Sequence, residues 1–313
     1  MSSEQILRKN YIDKLKKRIP KNLIIESVSD KKIHLANEYL KSRKTLEFEF
    51  SELDSHFGDD WDYEKYPLGY IMRNTENNSI VGFLGTICSK RKINNDEVIC
   101  CNLVHWYVEK EFRIYAYAFF LPILDRKIIV YATTPRTSIL GLYKKLGFEV
   151  KKMKYTVGLS INVISMLSKN YRRFSISNDE KEIEDYLNTH DKKIYQDHKK
   201  YNCINFIILD KKKILKPCYF VAKKNKRYLM NVLDILYISD IKNFNEFAPE
   251  IFTKISLFFN KFFIGQRYFS EEEKIKYNPL FLTKTVDKFF PIKSFNNYSI
   301  FDTLYSDLVL FDT

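Results

Sequence analysis

The stretch VHWYVEKEFRIYAYAFFLPIL, residues 104–124, decides how this chain is read. β-Branched and aromatic residues run to Val108, the pattern of a strand. The run stops at Glu109, and after Arg113 small and apolar residues recur at helical spacing, with Ala116 and Ala118 among them. A strand thus hands over to a helix, from about Arg113 to Leu124, through an arginine and two alanines. Core packing is one explanation. The other is a phosphorylated ligand, because the first turn of a helix carries unpaired N–H groups and a partial positive end. A pyrophosphate placed there is held by those donors.

Working outward, the strand is the third of a set. LGYIMRN and SIVGFLGTICSKRKI read as strands joined by the turn residues TENN, and VICCNLVHWYV follows a second turn, NNDE. Upstream, residues 4–19 read as a helix, NLIIESV as a strand and KIHLANEYLKSRKTLE as a helix. EFEFSELDSHFGDDWDYEKYP has no clean period and reads as a functional loop or broken helix. Downstream come a strand, KIIVYATT, a helix from Thr137 to Leu146, and a strand, GFEVKKMKYTVGLSI. The early strands are hairpin-joined and antiparallel, and the later ones, separated by helices, are free to lie parallel. Residues 170–313 repeat this grammar weakly, with a helix at 179–188, strands NCINFIILD, KPCYFVAKK and LMNVLDILYISD, the helix EFAPEIFTKISLFFN and the strand KFFIGQRYF.

Composition bounds the rest. The chain has 313 residues, 45% hydrophobic and 29% charged, which favours two ordered domains over a disordered chain. No run approaches the ~20 uncharged apolar residues of a membrane span; IFTKISLFFNKFFIG is broken by Lys254 and Lys261. The first 20 residues lack the apolar core of a signal peptide, and Pro20 stops their helix. The net charge of +13 comes from lysines spread along the chain, and no nucleic-acid motif accompanies it, so no nucleic-acid partner is expected. The cysteines are Cys88, Cys100, Cys101, Cys203 and Cys218. Their odd number and the lack of a CxxC pair argue against zinc and a disulfide framework, so no metal and a cytoplasmic location are expected.

WYVEKEFRIYAYAFFLPIL followed by LYKKLGFEV resembles the GCN5-related N-acetyltransferase (GNAT) superfamily over about residues 65–150. In that family an Arg or Gln opens a Q/R-x-x-G-x-G/A turn into a helix. Here the turn reads Arg113, Ile114, Tyr115, Ala116, Tyr117, Ala118, and the later L-Y-x-x-x-G-F phrase is Leu142 to Phe148. The resemblance implies an α/β fold with a mixed, mostly antiparallel twisted sheet and flanking helices. It implies acetyl-CoA or another acyl-CoA as co-substrate, with its pyrophosphate on the 113–118 turn and its pantetheine arm along the backbone of Trp106, Tyr107 and Val108. The sequence departs from the pattern where Ala116 replaces glycine and Ile114 a small residue; a packed helix that no longer binds ligand is the other reading.

The same resemblance places the Tyr143 hydroxyl near the CoA sulfur, as the acid for the leaving thiolate; packing of its helix is the alternative. An Asn early in that helix is replaced by Arg136. The base is open. The family position falls near Asn102, which is no base, and alternation sets 102, 104 and 106 on the face opposite 103, 105 and 107. A bulge reverses that and makes His105 a candidate. Asn102 and Asp54 are candidate acceptor-binding residues, and Glu52, Asp54 and Asp60 of the acidic loop are rival bases or amine-binding groups, a solvated loop being the alternative.

The expected domains are 1–168, GNAT-like and acyl-CoA-binding, and 169–313, a degenerate second copy or an unrelated α/β cap. The second half puts Glu246, Phe247, Pro249 and Glu250 where a phosphate turn would lie, so it is expected to add apolar surface, acceptor contacts or a homodimer contact instead of a second site. The expected activity is acyl transfer to a primary amine of a small molecule, with amino sugars as one acceptor class; an inactive GNAT-like binding protein is the alternative.

Overall fold

Polar turns and alternating apolar residues set the strands of the first sheet. The computed structural model describes residues 3–43, 61, 66–93, 96–124, 126–227, 230–276, 283–295 and 303–310. Helix α1 (Ser3–Lys16), strand β1 (Leu23–Val28) and helix α2 (Ile33–Ser42) precede three antiparallel strands, β2 (Gly69–Asn74), β3 (Ser79–Ile93) and β4 (Asp96–Val108). A 3₁₀ segment (Lys110–Phe120) and one helical turn, α3 (Leu121–Leu124), lead to β5 (Ile129–Tyr131). Helix α4 (Leu140–Lys145) then leads to β6 (Glu149–Leu159). After two short helical turns come β7 (Phe174–Ser177), α5 (Glu180–Tyr186), α6 (Thr189–His198), β8 (Ile204–Asp210), β9 (Cys218–Arg227) and β10 (Met230–Ile238). Helices α7 (Ile241–Asn245) and α8 (Ala248–Phe259), strands β11 (Phe263–Tyr268) and β12 (Thr283–Lys293) and the turn α9 (Asp307–Leu310) complete the order.

The chain forms two compact units. The first is Met1–Lys151 with Phe289–Ser299 and Tyr305–Asp307. Its strands lie in the order β1-β2-β3-β4-β5-β12, antiparallel except for β4 and β5. On one face, Leu84, Cys101 and Leu103 share a core with Phe119, Phe120, Ile123 and Leu146. Each such side chain contributes about 1.5–3 kcal/mol when fully buried. That burial fixes the 110–124 connection although its aromatic residues are mediocre helix formers. Cys88 and Cys101 face each other with sulfurs 2.9 Å apart, and all five cysteines are free thiols.

The second unit is Lys152–Lys288 with Ile300–Leu304 and Leu308–Thr313. Here the order is β6-β11-β10-β9-β8-β7, and β10 and β11 are parallel across the α7–α8 crossover. Strand β7, helices α5 and α6, the antiparallel β8–β10, a helical crossover and a parallel strand follow one another as β1, α2, β2–β4, the 3₁₀ connection and β5 do in the first. The third strand of each set carries a register irregularity, at His105–Trp106 in β4 and at Leu236 in β10. Two α/β units of similar element order, each with mostly antiparallel strands, are thus present.

The division differs from an expected boundary at 168. Strand β6 runs unbroken through residue 151 with no linker, and β12 returns its last five residues to the first unit. The helix expected from Arg113 begins at Lys110 and is wound as 3₁₀ until Phe120. Among the described residues, no helix is long and apolar enough to cross a membrane.

Candidate active site

The site begins with an irregularity in β4. Gly85 pairs with Val104 and Phe83 with Tyr107, so Leu84 alone opposes His105 and Trp106. This is a bulge, and His105 sits at its turn with φ 49, a left-handed conformation that His tolerates better than most side chains. Gly85 allows the close approach: a Cβ there would lie 2.8 Å from Val104 Cγ2. β5 pairs with β4 from Cys100↔Ile129 to Asn102↔Tyr131 and then ends, while β4 continues to Val108. Beyond Asn102, no described strand pairs with the β5 side of β4. The stretch of β4 from Leu103 to Val108, unpaired on the β5 side and carrying the bulge, is called the wedge below.

The bulge shifts the alternation. Cys101 and Leu103 enter the helix-side core before it, and Trp106 and Val108 after it. Trp106 meets Phe120 edge-on at 5.1 Å and Tyr143 at 6.3 Å between ring centroids. Tyr143, on α4, also packs on Phe120 and Phe148 at 5.5 and 5.0 Å. Burial pushes the Tyr143 pKa up, and the charge of Asp307 adds to this.

Asp307 comes from the far end of the chain. It accepts a hydrogen bond from Asn102 Nδ2 at 2.9 Å, one from Thr134 Oγ1 at 2.7 Å and one from Thr133 Oγ1. The hydroxyl of Tyr131, opposite Asn102, donates to the Tyr305 carbonyl. Burial lowers the His105 pKa, and Asp307 opposes that shift only in part. At neutral pH the ring is therefore an uncharged imidazole, able to accept a proton but a weak base. Asn102, Thr133, Thr134 and Asp307 form a hydrogen-bonded polar cluster whose negative charge is felt at His105 and Tyr143.

The 113–118 turn is less uniform than its sequence suggests. Arg113 and Ile114 are exposed, Tyr115 and Ala116 are half-buried, and Tyr117 and Ala118 face the core. The Tyr117 hydroxyl donates to the Leu15 carbonyl at 3.1 Å, and Arg113 Nε donates to the Val108 carbonyl at 3.2 Å. The 3₁₀ winding commits N–H groups to i→i+3 bonds, so the donors left for an anion lie at the segment's start. Glu109, just before it, is held by Arg43 at 2.7 Å and by the Tyr39 hydroxyl at 3.3 Å. Tyr39 stacks edge-on against Tyr107.

No family model matches this sequence, and no curated protein matches it. Solved structures do. A GCN5-related N-acetyltransferase from Anabaena variabilis superposes with TM-score 0.55 at 13% identity, over 87% of this chain and 72% of that one. A second, from Kribbella flavida, gives 0.54 at 7% identity, over 86% and 70%. The GCN5-related glucosamine N-acetyltransferase region of a fungal multi-domain GH3 beta-N-acetylglucosaminidase gives 0.57 at 7% identity, and this chain spans only 38% of that longer protein while 88% of its own length is covered.

The chain has the GNAT fold. At these identities the likeness is one of fold. Within it, Trp106, Tyr107 and Val108 lie on the part of β4 that β5 does not pair, His105 is at the bulge, and Tyr143 packs against the Trp106 ring. Arg136 sits just before the 3₁₀ turn that opens α4. Glu52, Asp54 and Asp60 lie outside the described residues. Asp307 escaped the sequence reading because nothing near YSDLVLF marks it; its partners lie 173–205 residues away. In the second unit, α8 opens at Phe247 with Pro249 and Glu250 in its first turn, and Glu250 accepts a hydrogen bond from Ser168 Oγ at 3.0 Å.

Proposed function

We propose that the chain is an acyl-CoA-dependent N-acyltransferase, with acetyl as the simplest acyl group, acting on a primary amine of a small molecule. The observation that carries this reading is the wedge: β4 bulges at His105 and leaves β5 after Asn102, with Tyr143 packed beside the opening. A strand edge without a partner offers N–H and C=O groups to the amide-bearing pantetheine arm. Arg113, exposed at the start of the 3₁₀ segment, supplies positive charge for the pyrophosphate.

In the reaction the amine nitrogen attacks the thioester carbonyl carbon. An N–C bond forms, the C–S bond breaks, the sulfur leaves with the bond pair and takes up a proton, and the nitrogen loses one. Holding the two reactants together supplies much of the rate. In this reading neutral His105 receives the amine proton. Tyr143 stays protonated through neutral pH, and its raised pKa makes it a weaker acid than a free phenol (~10) toward a thiol-forming sulfur (~8.5). Its hydroxyl therefore serves the leaving sulfur first as a hydrogen-bond donor.

Thiol release from acetyl-CoA with a panel of amines tests the reading. Amino sugars come first, since one protein of similar fold is a glucosamine N-acetyltransferase region. A second reading, a binding protein without turnover, is favoured by the core-facing Tyr117 and Ala118 and by Glu111 in the first 3₁₀ turn. CoA binding without thiol release from any amine selects it.

A further inference from the structure

The chain has two tryptophans, Trp61 and Trp106. The indole Nε1–H of Trp106 is buried and has no hydrogen-bond acceptor within the described residues. Buried donors are rarely left unmade, because the desolvation of the group is then uncompensated. An indole nitrogen has no second role, since it donates and cannot accept. The position is also particular. Trp106 directly follows the left-handed His105, on the part of β4 that β5 no longer pairs, and its ring packs against Tyr143 and Phe120. The residue is only partly buried while its Nε1 is enclosed, so an acceptor that satisfies the N–H has to occupy the inner end of this unpaired stretch.

We infer that the Trp106 indole N–H donates a hydrogen bond to the carbonyl oxygen of the bound acyl thioester. This rests on the acyltransferase reading and adds a catalytic side chain to it. As the amine attacks, the carbonyl π pair moves onto that oxygen. A donor held at that oxygen, in a site from which water is excluded, stabilises the transition state more than the ground state. When the C–S bond breaks, the pair returns to the carbonyl and the N–H has lost no proton. The bulge is what makes this geometry available: it turns residue 106 to the Tyr143 side of the sheet, where regular alternation from Asn102 would have turned it away.

Two measurements test it. Trp106→Phe keeps an aromatic ring against Phe120 and Tyr143 and deletes the N–H. Turnover is expected to fall roughly a hundredfold, while the KM for acetyl-CoA and the melting temperature stay close to wild type. Turnover within twofold of wild type overturns the proposal. In a Trp61→Phe protein Trp106 is the sole tryptophan, and its emission is followed during titration with acetyl-CoA and with CoA, alongside calorimetry. A change with acetyl-CoA that CoA does not reproduce supports the contact. Heat of binding with silent emission, or with the same change for both ligands, overturns this proposal and leaves the acyltransferase reading standing. No heat with either ligand overturns both. The emission experiment holds even if Trp106→Phe fails to fold.

Discussion

His105 holds the only left-handed backbone in β4, and its half-buried ring, with Nε2 enclosed, sits where its charge is disfavoured. The two facts separate by mutation. Glycine adopts φ 49 without strain, whereas valine there carries roughly 1–3 kcal/mol of strain. His105→Gly is expected to melt close to wild type and His105→Val well below it; equal melting temperatures would remove the bulge from the argument. The imidazole also makes stability depend on pH. The unfolded ring titrates near ~6.5, and burial holds the native pKa below that, against partial opposition from Asp307. Between the two values the unfolded chain binds the proton and the folded chain does not, so stability falls as pH drops below about 6.5. The urea midpoint should decline from pH 7 to 5.5, and less steeply in His105→Gly. Tyr143→Phe keeps the ring contacts to Phe120 and Phe148 and deletes one hydroxyl. Turnover should fall by about 10–10³ with CoA affinity nearly constant; unchanged turnover, with chemistry rate-limiting, assigns Tyr143 to packing.

The element that most needs testing is the 3₁₀ segment. On the proposed function its exposed Arg113 meets a phosphate, and exposed charges are screened within about 10 Å at 0.1 M salt. Arg113→Ala should weaken CoA binding several-fold at low salt, and the gap to wild type should narrow as salt rises. Identical affinities at low salt would exclude the 113–118 turn from the site. That turn also shows what a sequence conveys. Its position after a strand was legible because the period changes at Glu109, yet spacing at i and i+3 serves α and 3₁₀ winding alike, so the winding was not. Strands β1 to β6 were legible because each alternates or ends at a polar turn. β7 is four residues long, and β12 reads TKTVDKFFPIK, charged and interrupted by Pro291, so neither announces a strand. The candidate site divides the same way. Arg113 and Tyr143 stand in local phrases, whereas the Asp307 carboxylate meets Asn102 and Thr133 only through the fold.

At the scale of the whole molecule, the order of the chain and the order of its units disagree, and this has a measurable consequence. The first unit takes Phe289–Ser299 and Tyr305–Asp307 from the far end of the sequence. Phe290 is fully buried and stacks on Tyr131 at 5.5 Å, and Ile292 pairs with Tyr131 across β12 and β5. A fragment ending at residue 168 keeps every sequence phrase of the candidate site but loses these residues. Phe290 and Ile292 then withdraw about 1.5–3 kcal/mol each. The amide of Asn102 and the hydroxyl of Thr133, both buried, lose the Asp307 carboxylate, at about 1–3 kcal/mol for each donor left unmade. Losses on that scale rival the ~5–15 kcal/mol that keeps a domain folded. Residues 1–168 alone should therefore give no cooperative melting transition and no CoA binding, although the 113–118 turn and Tyr143 are present. Supplying 169–313 as a separate chain in the same cell should restore both, with one CoA bound per pair, because the corresponding helix of the second unit opens on Phe247, Pro249 and Glu250. A monomeric 1–168 fragment that melts cooperatively near the full chain's temperature would show that the first unit does not depend on its returning segments.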